Sequence, residues 1–354
     1  MKRRCSSLSL FMLVVLLGTA AASLAAKKPT PTRAKPKPKL GSIGTSQLPG
    51  EWCDLGKAYT LGKADATNLT LKSAEYTVGH VKVGDRFFWP NEGEKLLAIH
   101  YTLHNPLPRE QHVDYSTISW TAVDAKSQNK NQEYLGVGVD DQTHKTLDQA
   151  MKPAQKIEVF AVIRVAGEGA VPKLMAANHA DAGTPVARYD LHGKVKPLAA
   201  PYADPGDQTG ATVAKVIPGA FGVFYTTGNF DTKVEKVDFA TPPFADEGYD
   251  ANNDYVVATF ECKYFGEGSS GLGGSGSPTS GMALKDADGV SYEIQYGPMP
   301  ASSNRRFEPS VKQGDSIKFR LAFSVPKGVA LKSLTLKENS GYPVVLDLSA
   351  YKTP

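Results

Sequence analysis

The sequence predicts an all-β chain built as two tandem β-sandwich domains. The first observation is alternation within strands. In "LLAIHYTLHN" (residues 96–105), Leu97, Ile99, Tyr101 and Leu103 alternate with Ala98, His100, Thr102 and His104. In "VVATFECKYF" (residues 256–265), Val256, Ala258, Phe260 and Cys262 alternate with Val257, Thr259, Glu261 and Lys263. A period of two marks a half-buried strand. The second observation is recurrence, because these stretches sit 159 residues apart and two further matches follow in the same order. "WTAVDAKSQ" from Trp120 parallels "MALKDADGV" from Met282 at an offset of 162. "LDQAMKPAQKIEVFAVIRV" from Leu147 parallels "FEPSVKQGDSIKFRLAFSV" from Phe307 at an offset of 160. The third observation is spacing: short strand-like runs separated by turn residues, with few helix-length periodic segments, are the pattern of a β-sandwich.

Taken in chain order, residues 1–25 read as a signal peptide. "MKRR" is a basic start and "LSLFMLVVLLGTAAA" an apolar core of about 15 residues, short of the roughly 20 that span a bilayer. The small residues of "AAASLAAKK" place cleavage between Ala22 and Ala26. Cys5 precedes the apolar core, whereas a lipidated cysteine follows it. Residues 26–54 read as a disordered linker, because "KKPTPTRAKPKPKL" alternates proline with cations and offers nothing to bury. The basic tail is a spacer, and a candidate for electrostatic contact with anionic wall polymer or a membrane surface.

Charge separates this tail from the rest. The chain carries a net +4, and its first 39 residues hold nine cations and no acid. From Leu40 onward the net charge is therefore −5, and the pI of about 8.7 misleads. With no basic face and no aromatic-basic motif, nucleic acid is not an expected partner. Unknown envelope or extracellular proteins or polymers are.

The first sandwich is expected over 55–198, an inter-domain linker over 199–210 ("APYADPGDQTG" is its bulk), and the second sandwich over 211–354. Each copy ends in a strand, "PVARYDLHG" in the first and "PVVLDLSA" in the second. "KDADGVSYE" (residues 285–293) reads as a hairpin, since Asp-Gly accepts the positive φ of a tight turn. It lacks the downstream ligand spacing of a calcium loop. The second copy carries the polar insertion "GEGSSGLGGSGSPTSG" (residues 266–281), read as a solvated loop, with a mobile binding lip as the sharper alternative.

The pattern in each copy is specific enough to compare. An early strand like "LTLKSAEYT" or "TKVEKVDFA" precedes the apolar strand. A D-x-x-G segment follows, then F-x-P-x-V-x-x-G-D, V-P-x-G and a last Asp-Leu strand. This resembles the secreted, often lipoprotein-borne bacterial domains of unknown function with an immunoglobulin-like fold. The first copy departs most, with "MKPAQ" in place of "VKQGD" and "AGEG" in place of "VPKG". The resemblance implies an immunoglobulin-like sandwich at the cell surface and supplies no catalytic residues.

No chemistry-bearing motif stands out. All seven histidines (His80, His100, His104, His112, His144, His179 and His192) fall in the first copy. His100 and His104 share one strand face but stand about 13 Å apart at ~3.3 Å per residue, too far to share an ion. A loop-borne site such as His112 with His144 stays open. "FADEGYDANNDY" gathers Asp246, Glu247, Asp250 and Asp254, which read as a polar loop, with calcium as the alternative. There is no G-x-S-x-G elbow, H-E-x-x-H or P-loop. No catalytic, cofactor or metal residue is assigned. The expected role is a non-catalytic exported envelope or extracellular module; the alternative is a secreted hydrolase with an unrecognised loop-borne site. After processing only Cys53 and Cys262 remain, and both are expected as free thiols, Cys262 on the core-facing phase of its strand.

Overall fold

A computed structural model describes residues 44–45, 51–179, 186–240, 252–272, 277–338, 340–351 and 353. The signal peptide, most of the 26–54 segment, Asp246, Glu247 and Asp250, and residues 273–276 of the glycine-rich insertion lie outside them. Every regular element among the described residues is a strand, so the chain is all-β. Pro38–Pro354 form one compact unit.

In the N-terminal half, one layer runs Ala58–Leu61, Thr67–Thr77, Glu94–His104, Lys156–Ala166 and Asn129–Val139. Asn129–Val139 continues into Ile118–Val123, Lys173–Asn178 and Ala187–Asp190. These faces meet in a shared core, where Tyr101 packs edge-on against Trp120 at 5.1 Å between ring centres. In the C-terminal half, one sheet runs Tyr225–Thr227, Phe230–Ala240, Asn253–Tyr264, Ser316–Pro326 and Ile294–Pro300. The other runs Ile217–Gly219, Val344–Asp347, Leu331–Leu336, Ala283–Asp286 and Ser291–Tyr292.

The three long strands of each half pair in the same order, Thr67–Thr77 with Glu94–His104 and Lys156–Ala166 in one, Phe230–Ala240 with Asn253–Tyr264 and Ser316–Pro326 in the other. Leu103 stands opposite Ile157, and Cys262 stands opposite Ile317. Each half also has a register shift between its first two long strands, at Leu71/Ser73 and at Val234/Lys236. The Asp-Gly turn forms as its sequence requires: Gly289 has φ +89°, and Leu284 and Lys285 pair with Tyr292 and Ser291. The Asp286 carboxylate accepts the Val290 N–H and the Tyr292 hydroxyl, both at 2.8 Å.

Half-burial of the Glu94–His104 strand needs correction. Leu96, Ala98 and Thr102 are buried although they lie on the outward phase. The hairpin of Val81–Val83 and Arg86–Phe88 covers part of that face, and Val83, Phe88, Leu96, Phe160 and Val162 form a small core beneath it. Period-two alternation reports the pleat, not what covers its second face.

The disordered reading of 26–54 fails at its end. Thr45 bridges Tyr59, and the Gly44 N–H donates to Asn68 Oδ1 at 3.1 Å. Cys53 is buried beside Tyr189, with its N–H donating to the Arg188 carbonyl at 2.7 Å. These residues satisfy backbone groups that an open sheet edge would leave to solvent.

The 199–210 segment lies between the halves and is hydrogen-bonded throughout. Leu198 N–H donates to Gly210, Asp204 N–H to Thr212 and Val213 N–H to Gly167. Lys95, on the inward phase of its strand, is fully buried here. Its ammonium donates to the carbonyls of Gly167, Gly169 and Ala211 at 3.2, 2.5 and 2.5 Å, and lies 4.6 Å over the Tyr76 ring. A buried ammonium is tolerated because all three of its donors are taken. Further along the seam, the Tyr342 hydroxyl donates to Glu94 O, and the Glu92 N–H to Ser340 O. One continuous apolar core runs through both halves.

Candidate functional site

The part of the outer sheet face that the Val81–Phe88 hairpin leaves open forms a cleft of about 610 Å³. Thr67–Thr77 supplies Lys72, Ser73 and Glu75, Glu94–His104 supplies His100, and Lys156–Ala166 supplies Glu158. Asp140 follows the Asn129–Val139 strand, and Lys196 closes one side. The register shift at Leu71/Ser73 sets Ser73 opposite His100.

His100 Nδ1 meets Asp140 Oδ2 at 2.7 Å, and Nε2 faces Glu75 Oε1 at 3.7 Å, beyond hydrogen-bond length. Lys196 holds Glu75 at 2.9 Å, and Lys72 holds Glu158 at 2.6 Å. The Lys196 ammonium titrates above its ordinary range because Glu75 accepts its hydrogen bond. Thr102 adds a hydroxyl donor to Glu158 at 3.1 Å. A serine, a histidine and an aspartate thus share one cleft. The histidine–aspartate contact is made, but the Ser73 hydroxyl makes no hydrogen bond to the ring. The cleft presents alternating cations and carboxylates that already neutralise one another.

The other histidines scatter. His104 Nδ1 lies 3.0 Å from Asn68 Nδ2, and its titration is lowered by burial and by Lys156. His144 packs against Phe160. His192 pairs with Asp190, and His80 with Asp231. His112 pairs with Asp148 and lines a second cavity, of about 370 Å³, together with His179 rather than His144. Among the described residues no group of three or more His, Cys, Asp or Glu can hold a metal ion. Asp254 is the second residue of the Asn253–Tyr264 strand, and the other acids of that sequence segment lie outside the described residues.

Sequence reasoning singled out His100 but missed Ser73, Glu75 and Asp140 as its neighbours. The one local signal was the strand phase that put His100 outward. Asp140 arrives from 40 residues away and carries no pattern of its own.

No family model matches the chain, and no curated protein matches it. Among solved structures, an uncharacterized β-sandwich protein from Clostridium difficile 630 is 13% identical, covers 41% of this chain and 99% of its own, and has a TM-score of 0.29. MPT63, a secreted protein of Mycobacterium tuberculosis, is 16% identical, covers 37% of this chain and 96% of its own, and has a TM-score of 0.28.

Proposed function

We propose that the chain is an exported, non-catalytic module of the cell envelope or extracellular space that binds a protein or polymer or acts as a stiff spacer. In this reading residues 55–198 and 211–354 are two copies of one immunoglobulin-like sandwich. Matching strand order, the paired registers at Leu103–Ile157 and Cys262–Ile317, and the resemblance of both copies to secreted bacterial domains support it. The observation that carries the stiffness is the seam, where Lys95, His80 and Tyr342 bond across the halves from inside the protein. The leader and basic tail favour export.

The test is fractionation of cells producing the full chain, with intact-mass analysis of what reaches the envelope or medium. A species beginning between Ser23 and Lys27 supports the reading. A species confined to the cytoplasm and retaining Met1 contradicts it.

A secreted hydrolase is the second reading, and the Ser73–His100–Asp140 cleft is the observation that favours it. A fluorophosphonate probe reacting with wild type but not with Ser73→Ala would establish that reading. No labelling is expected, because nothing in the cleft activates the Ser73 hydroxyl.

A further inference from the structure

We propose that the exposed Tyr134 ring, backed by Tyr115, is the docking point for an arginine-bearing peptide segment of a partner protein. The proposal names a kind of partner for the binding role argued above and rests on that role.

The strand is built to hold this ring out. Gln132 stands opposite Ile163 and Val137 opposite Ala161, so Glu133, Tyr134, Leu135 and Gly136 stand against Val162 alone. The excursion is tight: a Cβ on Gly136 would lie 2.9 Å from the Glu133 carbonyl oxygen. Leu135 takes φ +58°, a left-handed conformation that strains a residue with a side chain. Gln132 braces the base, accepting the Trp120 N–H at 3.1 Å and donating to the Tyr115 carbonyl at 2.9 Å. Tyr115 meets Tyr134 edge-on at 5.5 Å and is its one ring partner among the described residues. Tyr134 is nonetheless 69% exposed. Backbone strain kept in order to expose an aromatic ring points to a surface role.

The C-terminal half shows what covers such a ring. Ile294–Pro300 lies beside Ser316–Pro326 as Asn129–Val139 lies beside Lys156–Ala166. Its Tyr296 is likewise followed by a positive-φ residue, Gly297. Tyr296 is 1% exposed and packs with Tyr255, Val257, Met299 and Ala322. The Arg306 guanidinium lies 4.6 Å over its ring and donates to the Gln295 carbonyl at 3.3 Å. Arg320 pins the segment that carries Arg306, donating to Ser303 O at 2.6 Å and Asn304 Oδ1 at 2.9 Å. In the N-terminal half Val83 and Phe88 fill the matching place over Val162. The residues after Val139 turn back along their own strand, the Val139 N–H donating to Lys145 O at 2.8 Å. Tyr134 is left outside, with a face open to a segment like the one that carries Arg306.

The charges around the ring favour a cation. Arg164 Nε stands 3.6 Å from both Glu94 and Glu133, so two carboxylates share one guanidinium. The Asp114 carboxylate, next to Tyr115, accepts from neutral donors on Ser116 and Thr117. The hydrogen bond to Tyr134 raises the titration of Tyr115, and the Asp114 charge adds to that rise. With Lys130 of the same strand counted, three carboxylates still outnumber two cations. Arginine suits this setting best, because its flat guanidinium stacks on a tyrosine face while its edge N–H groups reach carboxylates.

The experiment is a proton–carbon NMR titration of the full chain with ring-labelled tyrosines. The probe is a peptide with the sequence of residues 301–309, ASSNRRFEP, compared with the same peptide carrying glutamine at both arginines. The Tyr134 and Tyr115 ring signals should shift saturably with the arginine peptide. Affinity should fall about threefold or more for the glutamine peptide, as loss of an exposed cation–π contact implies. It should fall by a similar factor in Tyr134→Ala, read at Tyr115, and hold in Tyr134→Phe, which keeps the ring. Tyr134 is exposed, so both variants fold. No saturable shift would overturn the proposal. So would equal affinity for the two peptides, or affinity unchanged by Tyr134→Ala. Signals that move with protein concentration alone would make a second copy the occupant and overturn it too. If no peptide binds but the processed chain still reaches the envelope, this site fails and the wider reading stands.

Discussion

The His80 imidazole and the Asp231 carboxylate meet at 3.0 Å across 151 residues of sequence. The other ring nitrogen lies 3.0 Å from the Gly228 carbonyl, and the ring stacks on Phe265 at 4.2 Å. Its side chain is only 5% exposed. One N-terminal residue is thereby bonded twice and stacked once on the C-terminal half.

His80→Ala removes these contacts and leaves Asp231 with Thr226 as its remaining side-chain donor. A loss of about 2–3 kcal/mol is expected, since hydrogen bonds to charged groups are worth about 1.5–3 kcal/mol. Urea denaturation of wild type, both single variants and the double variant with Asp231→Ala measures the coupling. Additive losses would show that the contact is not a bond that holds the seam.

Lys95 sets a pH dependence. Burial lowers its titration to about 8, against an opposing pull from Asp207. The unfolded chain keeps the ordinary lysine value near 10.4. Between those values the unfolded state binds more protons, so this group adds stability as pH rises from 8 to about 10.4. Below pH 8 the burial cost is fully present. Wild type should therefore gain on Lys95→Met by up to roughly 3 kcal/mol across that window. A stability difference that stays flat between pH 8 and 10.4 would contradict the burial of a charged Lys95.

How far the sequence speaks can be judged at these residues. The inward phase of Leu97, Ile99, Tyr101 and Leu103 was legible, and Lys95 continues it, so its burial had a signal that composition obscured. The Asp286–Val290 turn was legible because glycine alone relieves its positive φ. Burial of Leu96 was not, because the phase of its own strand does not tell that the preceding hairpin folds back over it. The meeting of His100 with Asp140, and of Gln111 with Asp65, depends on sheet order, which local periodicity does not encode.

The two cysteines give a chemical test. Both are buried and outside any disulfide, and burial pushes the Cys262 thiol up to about 12 and raises that of Cys53. Neither should react with a thiol reagent at pH 8 in the folded protein, and both should react after denaturation without reductant. A denatured chain with no reactive thiol would show a bridge.

Cys262 Sγ lies 3.5 Å from Thr232 Oγ1, which also bonds the Thr227 hydroxyl at 2.8 Å. Cys262→Val replaces the thiol with a methyl group, adds a second one, and leaves Thr232 bonded to Thr227. Its expected cost is about 1–2 kcal/mol by urea denaturation, the low end for adding a methyl group to a packed core. A loss above about 3 kcal/mol would mean that the thiol does more than fill space.

The two halves form one body through a buried polar seam. Differential scanning calorimetry of the chain tests this most directly. One transition is expected, with calorimetric and van't Hoff enthalpies equal. Two resolved transitions in the wild-type protein, one for each half, would contradict it.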